Sequence, residues 1–181
     1  MKRSSRIAAA ALAALGLGVA VAVFAQSGPM LPGMMMHGMQ HDDAFAADMQ
    51  LVHEMLTNHD KIKRTVTNLP TGIKTVTESA DPQVAQAIRA HVASMALRLR
   101  EGKEFNLFSK TIPVLFENRD KIKTDVEITP NGSIVTQTSR DAKVVTALQV
   151  HATEVDELAR DGMVAMRRNA RAAMGRTSNL R

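Results

Sequence analysis

The chain has 181 residues, with 23 Lys and Arg against 18 Asp and Glu, and its formal net charge is +5 at pH 7. Most of this excess lies at the two ends, because residues 26–166 hold 15 basic and 18 acidic groups, a net charge of −3, while residues 167–181 carry +5. The charge pattern argues against nucleic acid as a partner, and the absence of Cys excludes disulfides, thiolate metal sites and covalently attached c-type haem.

Residues 1–25 have the pattern of an export signal. Three basic residues precede an apolar run, and the run ends in Val23-Phe24-Ala25, which fits the small-residue rule for cleavage. We therefore predict a signal peptide that is cleaved near Ala25 and Gln26, and a periplasmic location. The alternative is an uncleaved membrane anchor, although Ala and Gly make the run only modestly apolar.

Residues 26–47 are predicted to be a flexible linker that is rich in Met and His. Clustered thioethers and imidazoles suit a soft ion such as Cu(I), so the linker is a candidate accessory metal site. Its alternative role is a simple spacer, since it also contains several Gly and Pro residues. The candidate ligands are Met34, Met35, Met36, His37, Met39 and His41.

An internal repeat is the strongest signal in the sequence. A shift of 60 residues aligns the two "DKIK" stretches, which begin at Asp60 and Asp120, and brings His91 onto His151. The ungapped alignment has 13 identities over 34 positions, whereas about two are expected for unrelated segments of average composition. The sequence therefore predicts a tandem duplication, with repeats at about 48–104 and 105–166.

Each repeat is predicted to fold as helix, hairpin, helix. The first helix is expected to include Ile62 and Ile122 in its apolar stripe and the DKIK lysines in its last turn, where cations complement the helix dipole. β-Branched segments flank "LPTG" and "TPNG", and the Pro-x-Gly order favours β-hairpins. Asp81 and Asp141 are expected to cap the second helices. The apolar stripes of those helices are Val84, Ile88, His91, Met95 and Leu99, and Val144, Leu148, His151, Val155 and Leu158.

The two hairpins can pair into one four-stranded antiparallel sheet that is covered by helices. We therefore predict a single α+β domain over residues 48–166 with pseudo-twofold symmetry, because one repeat alone would be a marginal unit. The doubled DKIK, the Pro-x-Gly hairpin and the Ser-x-Asp before a His-containing helix resemble a family of small exported bacterial proteins. The resemblance covers about 48–166 and supports the fold, and it implies no activity, ligand or catalytic residue.

His91 and His151 are the leading candidate metal ligands. Each lies within the apolar stripe of its helix at the same position of the repeat, so near a twofold axis two imidazoles can converge on one haem iron or one metal ion. The alternative is a pair of half-buried structural histidines, each hydrogen-bonded to a hairpin carbonyl. Met95, four residues after His91, and His53 on the first helix are the additional candidate ligands.

We predict a binding protein for haem or copper and no enzymatic activity, because the sequence contains no Gly-rich phosphate loop, HExxH, GxSxG or Cys nucleophile. The alternative function is a structural or interaction module of the cell envelope, with its histidines in the core. The basic tail, residues 167–181, is a candidate for weak contact with an anionic membrane surface, and its alternative is a solvated end. A homodimer is a possible assembly.

Overall fold

The computed structural model describes residues 44–178, with side chains up to residue 173. A helix and a short 3-10 turn precede each hairpin, and a longer helix follows it. The elements are α1 (Phe45–Thr57), β1 (Ile62–Leu69), β2 (Gly72–Ser79), α2 (Pro82–Glu101), α3 (Ile112–Glu117), β3 (Lys123–Thr129), β4 (Gly132–Thr138) and α4 (Ala142–Ser178). The predicted signal peptide and the six candidate Met and His ligands of the predicted linker lie outside the described residues.

The four strands form one antiparallel sheet in the order β1-β2-β4-β3. Leu69 pairs with Gly72, and Thr129 pairs with Gly132, so a two-residue turn that starts with Pro closes each hairpin. The central strands β2 and β4 pair along their whole length. The predicted α+β class with a four-stranded antiparallel sheet is therefore confirmed.

Two glycines allow the central strands to approach each other. A Cβ at Gly72 would overlap the carbonyl oxygen of Gln137, and a Cβ at Gly132 would overlap the carbonyl oxygen of Thr77. The Pro-x-Gly order therefore serves two purposes, because its Pro begins the turn and its Gly leaves room for the neighbouring strand.

Both predicted helix caps are present. The Asp81 carboxylate accepts from the backbone N–H of Gln83 at 2.9 Å, and the Asp141 carboxylate accepts from that of Lys143 at 2.9 Å. These bonds satisfy backbone donors that have no partner inside the helix. The same Asp side chains also accept from the DKIK lysines, at 2.8 Å for Lys61 and Asp81 and at 2.8 Å for the equivalent pair in the second half.

The predicted end of the first helix was wrong. α1 ends at Thr57, a 3-10 turn covers His59–Lys61, and Ile62 already begins β1. Ile122 likewise lies between a 3-10 turn and β3. These isoleucines fitted the apolar stripe of a helix by their spacing alone. The first strand residue that faces inward follows the last helical turn at about the interval that a helix would give.

The helices cover one face of the sheet. Along β1 the side chains alternate between partly buried Ile62, Arg64 and Val66 and exposed Lys63, Thr65 and Thr67. The buried face packs against a hydrophobic cluster formed by Ile73, Leu115, Val144, Ala147, Leu148 and Ala152. The predicted inward stripes of α2 and α4 therefore face the sheet.

Glycines shape the ends of the long helices. α2 ends at Glu101 and is capped by Gly102, which has φ 71°. α4 is interrupted at Gly162, which has φ 54° and ψ −132°, and then continues. A Cβ at Gly162 would collide with the His59 ring, so this site needs both the conformation and the small size of Gly. Among the described helices, none combines the length and apolar character needed to cross a membrane.

Candidate functional site

A cavity of about 310 Å³ lies between the sheet and the helices. All four helices and all four strands contribute to its wall, which is mainly apolar. The polar lining residues are Arg64, Thr75, Thr77, Thr124 and Gln137 on the sheet side, and His91, Ser109 and His151 on the opposite side. The cavity therefore combines an apolar interior with a small number of polar groups.

His91, on α2, contributes its ring to the wall of this cavity. Its Nδ1 is buried without a hydrogen-bond partner within the described residues, and it has almost no surface that the cavity could expose. Burial lowers the pKa of His91 to about 4, while the Asp48 carboxylate acts to raise this pKa and His151 acts to lower it further. The imidazole of His91 is therefore neutral at pH 7.

His151, on α4, is held by a hydrogen-bond network. Its Nδ1 lies 3.2 Å from Thr111 Oγ1 and 3.5 Å from Glu154 Oε2. The Thr111 hydroxyl donates its proton to Glu154 at 2.7 Å, so the Thr111 oxygen is left to accept from His151. The network therefore assigns a proton to Nδ1, and Nε2 is the ring nitrogen that takes no part in it.

Glu154 anchors this network. Ser109 Oγ donates to Glu154 Oε2 at 2.5 Å, and the backbone N–H of Lys110 donates to Oε1 at 3.1 Å. Partial burial acts to raise the pKa of Glu154, but the hydrogen bonds from His151, Ser109, Thr111 and Lys110 together lower it to about 2. The carboxylate is thus ionised at pH 7 and fixes the orientation of the His151 ring.

Arg64 lines the cavity from β1. Its guanidinium donates to Asp156 at 2.7 Å and to Thr77 at 2.9 Å. Burial lowers its pKa, and the ion pair with Asp156 acts in the opposite direction. The positive charge on the sheet side of the cavity is therefore largely neutralised by its partner.

The structure brings together three of the four candidate ligands that were predicted within the fold. His91, His151 and Met95 all line the cavity. His53 is exposed on α1 and does not line it. The alternative of a hydrogen bond to a hairpin carbonyl is wrong for His151 Nδ1, because its partners are side chains on α4 and just before α3. For His91, Nδ1 has no partner among the described residues.

Sequence reasoning missed the residues that orient His151. Glu154 follows His151 by three positions, which places both on one face of a helix, and this spacing was an available signal. Ser109 and Thr111 lie 40 or more positions before His151 and Glu154, and their hydroxyls had no such signal. Within the described residues, no group of three or more His, Asp or Glu is arranged to hold a metal ion.

Comparisons with known proteins add no family or relative. No protein-family model, no curated protein and no solved structure matches the chain.

Proposed function

We propose that this chain is an exported binding protein whose ligand is a small, mainly apolar molecule held in the cavity beside His91 and His151. The cavity carries this proposal. Its volume of about 310 Å³ falls at the lower end of the range of small-molecule sites, which are concave, mainly apolar and equipped with a few convergent polar groups.

The size of the cavity favours a ligand over an imperfectly packed core. The cavity is partly open to solvent, so without a ligand its apolar wall is in contact with water. An apolar cavity of about 150 Å³ is already large enough to bind benzene, and this one is about 310 Å³. Leaving it empty would sacrifice packing energy around its wall, which an apolar ligand would restore.

The histidines of the cavity wall support a ligand with a polar group. His151 lines the cavity, and its Nδ1 is taken up by Thr111 and Glu154. Its Nε2 is the ring nitrogen left for a further hydrogen bond. The ligand is therefore proposed to be apolar over most of its surface and polar where it meets the histidines.

The duplication and a pseudo-twofold arrangement are part of this proposal. Contacts recur at the offset of the repeat: Ser79 N–H donates to Asn131 O at 2.9 Å, and Ser139 N–H donates to Thr71 O at 2.8 Å. Such an arrangement explains why equivalent histidines border one cavity. Export to the periplasm rests on the sequence pattern of residues 1–25.

Binding of N-phenyl-1-naphthylamine, an apolar dye that fluoresces in apolar surroundings, tests the proposal. The chain has no Trp or Tyr, so the dye is measured with little background. Ala96 lines the cavity, and we expect Ala96→Phe to weaken dye binding at least about tenfold by occupying the space. The matched control is Ala93→Phe, which adds the same ring at an exposed position of the same helix.

The control variant should bind the dye like the unmodified protein, and thermal unfolding should show that both variants fold. Absence of dye binding by the unmodified protein would contradict the proposal and favour a structural or interaction module. Equal binding by the two folded variants would also contradict it, because the dye would then lie outside the cavity.

A further inference from the structure

Resting on the proposed cavity function, we infer that the ligand is an uncharged molecule whose hydroxyl group donates a hydrogen bond to Nε2 of His151. The cavity volume of about 310 Å³ is about twice that of an apolar cavity that binds benzene. A ligand of on the order of ten non-hydrogen atoms, such as an alkylphenol or a medium-chain alcohol, therefore fits.

The ring of His151 lies on the side of α4 that forms part of the cavity wall. Three residues that follow it at helical spacing also line the cavity, namely Val155, Leu158 and Ala159. Nδ1 of His151 is taken up by Thr111 and Glu154, and the two nitrogens of an imidazole point away from each other. Nε2 has no partner among the described residues and is not one of their buried unpaired atoms. It is therefore accessible to a ligand.

The contacts of Nδ1 decide which kind of group Nε2 can bind. The Thr111 hydroxyl donates to Glu154 at 2.7 Å, so its oxygen accepts from Nδ1 and keeps a proton there. With Nδ1 protonated, Nε2 of the uncharged ring accepts a hydrogen bond and cannot donate one. A hydroxyl can donate to it, whereas a carbonyl, an ether or a hydrocarbon cannot. Glu154 is thus a positioning residue that acts through the tautomer of His151.

The charges around the cavity favour an uncharged ligand. Arg64 is the only Lys, Arg, Asp or Glu in the described wall, and it is paired with Asp156 at 2.7 Å. A carboxylate at Nε2 would be repelled by Glu154, which lies 3.5 Å from Nδ1 of the same ring. An ammonium group would lose its hydration without meeting an unpaired carboxylate in the wall.

The test compares 4-butylphenol with 4-butyltoluene, in which a methyl group replaces the hydroxyl, as competitors of N-phenyl-1-naphthylamine at pH 8.5. This pH disfavours the protonated form of an imidazole. We expect His151→Phe to lower the ratio of the phenol affinity to the toluene affinity at least about tenfold, because it removes the acceptor. The matched control is His53→Phe at an exposed position away from the cavity, and it should leave the ratio unchanged.

The charge of the ligand is tested with 4-butylbenzoate and 4-butylbenzylamine. We expect each to compete with the dye at least about tenfold less well than 4-butylphenol. Equal or stronger competition by either compound would overturn the uncharged ligand. In the case of the benzoate, this result would point to a carboxylate bound by Arg64.

Glu154→Gln tests the positioning role separately. The Gln amide can donate to Nδ1 as well as accept from it, so the variant no longer fixes the tautomer. We expect the affinity for 4-butylphenol to fall while that for 4-butyltoluene stays unchanged. In ¹⁵N NMR, His151 should be protonated at Nδ1 in the unmodified protein and increasingly at Nε2 in the variant. An equal loss for both compounds would show that Glu154 only maintains the shape of the cavity.

The remaining outcomes separate this inference from the cavity function. Dye binding with an affinity ratio that His151→Phe leaves unchanged overturns the hydroxyl contact and leaves the cavity function intact. A neutral His151 that carries its proton on Nε2 in the unmodified protein also overturns it, and this measurement decides the question if His151→Phe does not fold. Failure of the dye and of every competitor to bind overturns both.

Discussion

The first half (48–104) and the second half (105–166) form the same elements but surround their equivalent histidines differently. The hairpins, the Asp caps and the lysine contacts of those caps occur in both halves. These contacts involve residues that are identical in the two repeats, such as Asp81 and Asp141. The scaffold therefore depends on the shared residues.

The surroundings of the histidines depend on residues that occur only once. Near His91, Arg98 and Asp48 form an ion pair at 2.5 Å in which both side chains are at most 4% exposed. The equivalent positions in the second half are Leu158 and Phe108, which cannot form such a pair. His151 instead has Glu154, where the first half has Ser94. Nδ1 of His91 thus has no partner among the residues that the structure describes, whereas Nδ1 of His151 is held by its neighbours.

The largest expected loss of stability comes from breaking the buried ion pair of the first half. Arg98→Leu leaves Asp48 charged and unpaired in the interior, and we expect a loss of about 3–5 kcal/mol in the free energy of unfolding. Part of this loss comes from the contact of the guanidinium with the Phe105 ring, at 5.5 Å from its centroid. Urea denaturation at pH 7 measures the loss.

Two variants make this measurement specific. Arg100→Leu removes an exposed Arg from the same helix and should change the free energy of unfolding by less than about 1 kcal/mol. The double variant Asp48→Leu with Arg98→Leu should recover much of the loss, since removing both charges leaves neither unpaired. A double variant as unstable as Arg98→Leu would show that packing, and not the unpaired charge, dominates.

Much of the fold was predictable because its signals are local and occur twice. The Pro-x-Gly turns and the Asp caps each involve no more than four consecutive residues. Both occur twice, as the caps do at Asp81 and Asp141, which distinguished them from chance. The 3-10 turns were missed because a three-residue turn has no periodicity of its own. The Asp48–Arg98 pair was missed for another reason, since a pair 50 residues apart leaves no local pattern and has no counterpart in the other repeat.

A smaller expected effect is a dependence of stability on pH, which arises from His91. The native state keeps His91 neutral down to a pKa of about 4, whereas the unfolded chain takes up this proton near pH 6.5. The unfolded state therefore binds more protons between these values, and the free energy of unfolding should fall by about 3 kcal/mol as the pH decreases from 6.5 to 4. Urea denaturation at pH 7 and at pH 4.5 measures most of this decrease.

His91→Leu should abolish most of the decrease, because no buried imidazole then resists protonation. His53→Leu, at an exposed position, is the control that should retain it. Glu154 contributes little to this decrease. Its pKa is lowered from 4.5 to about 2 in the folded state, so the stability it adds is lost mainly as the pH falls below 4.5. An unchanged decrease in His91→Leu would assign the pH response to another group.

The candidate site was predictable only in part, for a physical reason. His91 and His151 were found because they align at an offset of 60 residues and each lies inside an apolar stripe, and both line the cavity. Aligning the two halves reveals residues that are identical in both. It gives no signal for residues that occur in one half only, such as Glu154 and Thr111. Their role depends on the packing of α4 against the segment before α3, which the repeat does not encode.

The smallest effects should be equal in the two halves. Gly72→Ala and Gly132→Ala each place a Cβ against a carbonyl oxygen of the neighbouring central strand, so each should lower the free energy of unfolding by about 1–3 kcal/mol. Thr71→Ala and Asn131→Ala, at exposed turn positions, are matched controls and should cost less than about 0.5 kcal/mol. Because the two glycines make reciprocal contacts across the β2–β4 pair, equal losses in urea denaturation would support a pseudo-twofold relation of the hairpins. Losses that differ by more than about 1 kcal/mol would show that the two turns do not contribute equally to stability, and would count against a pseudo-twofold relation of the hairpins.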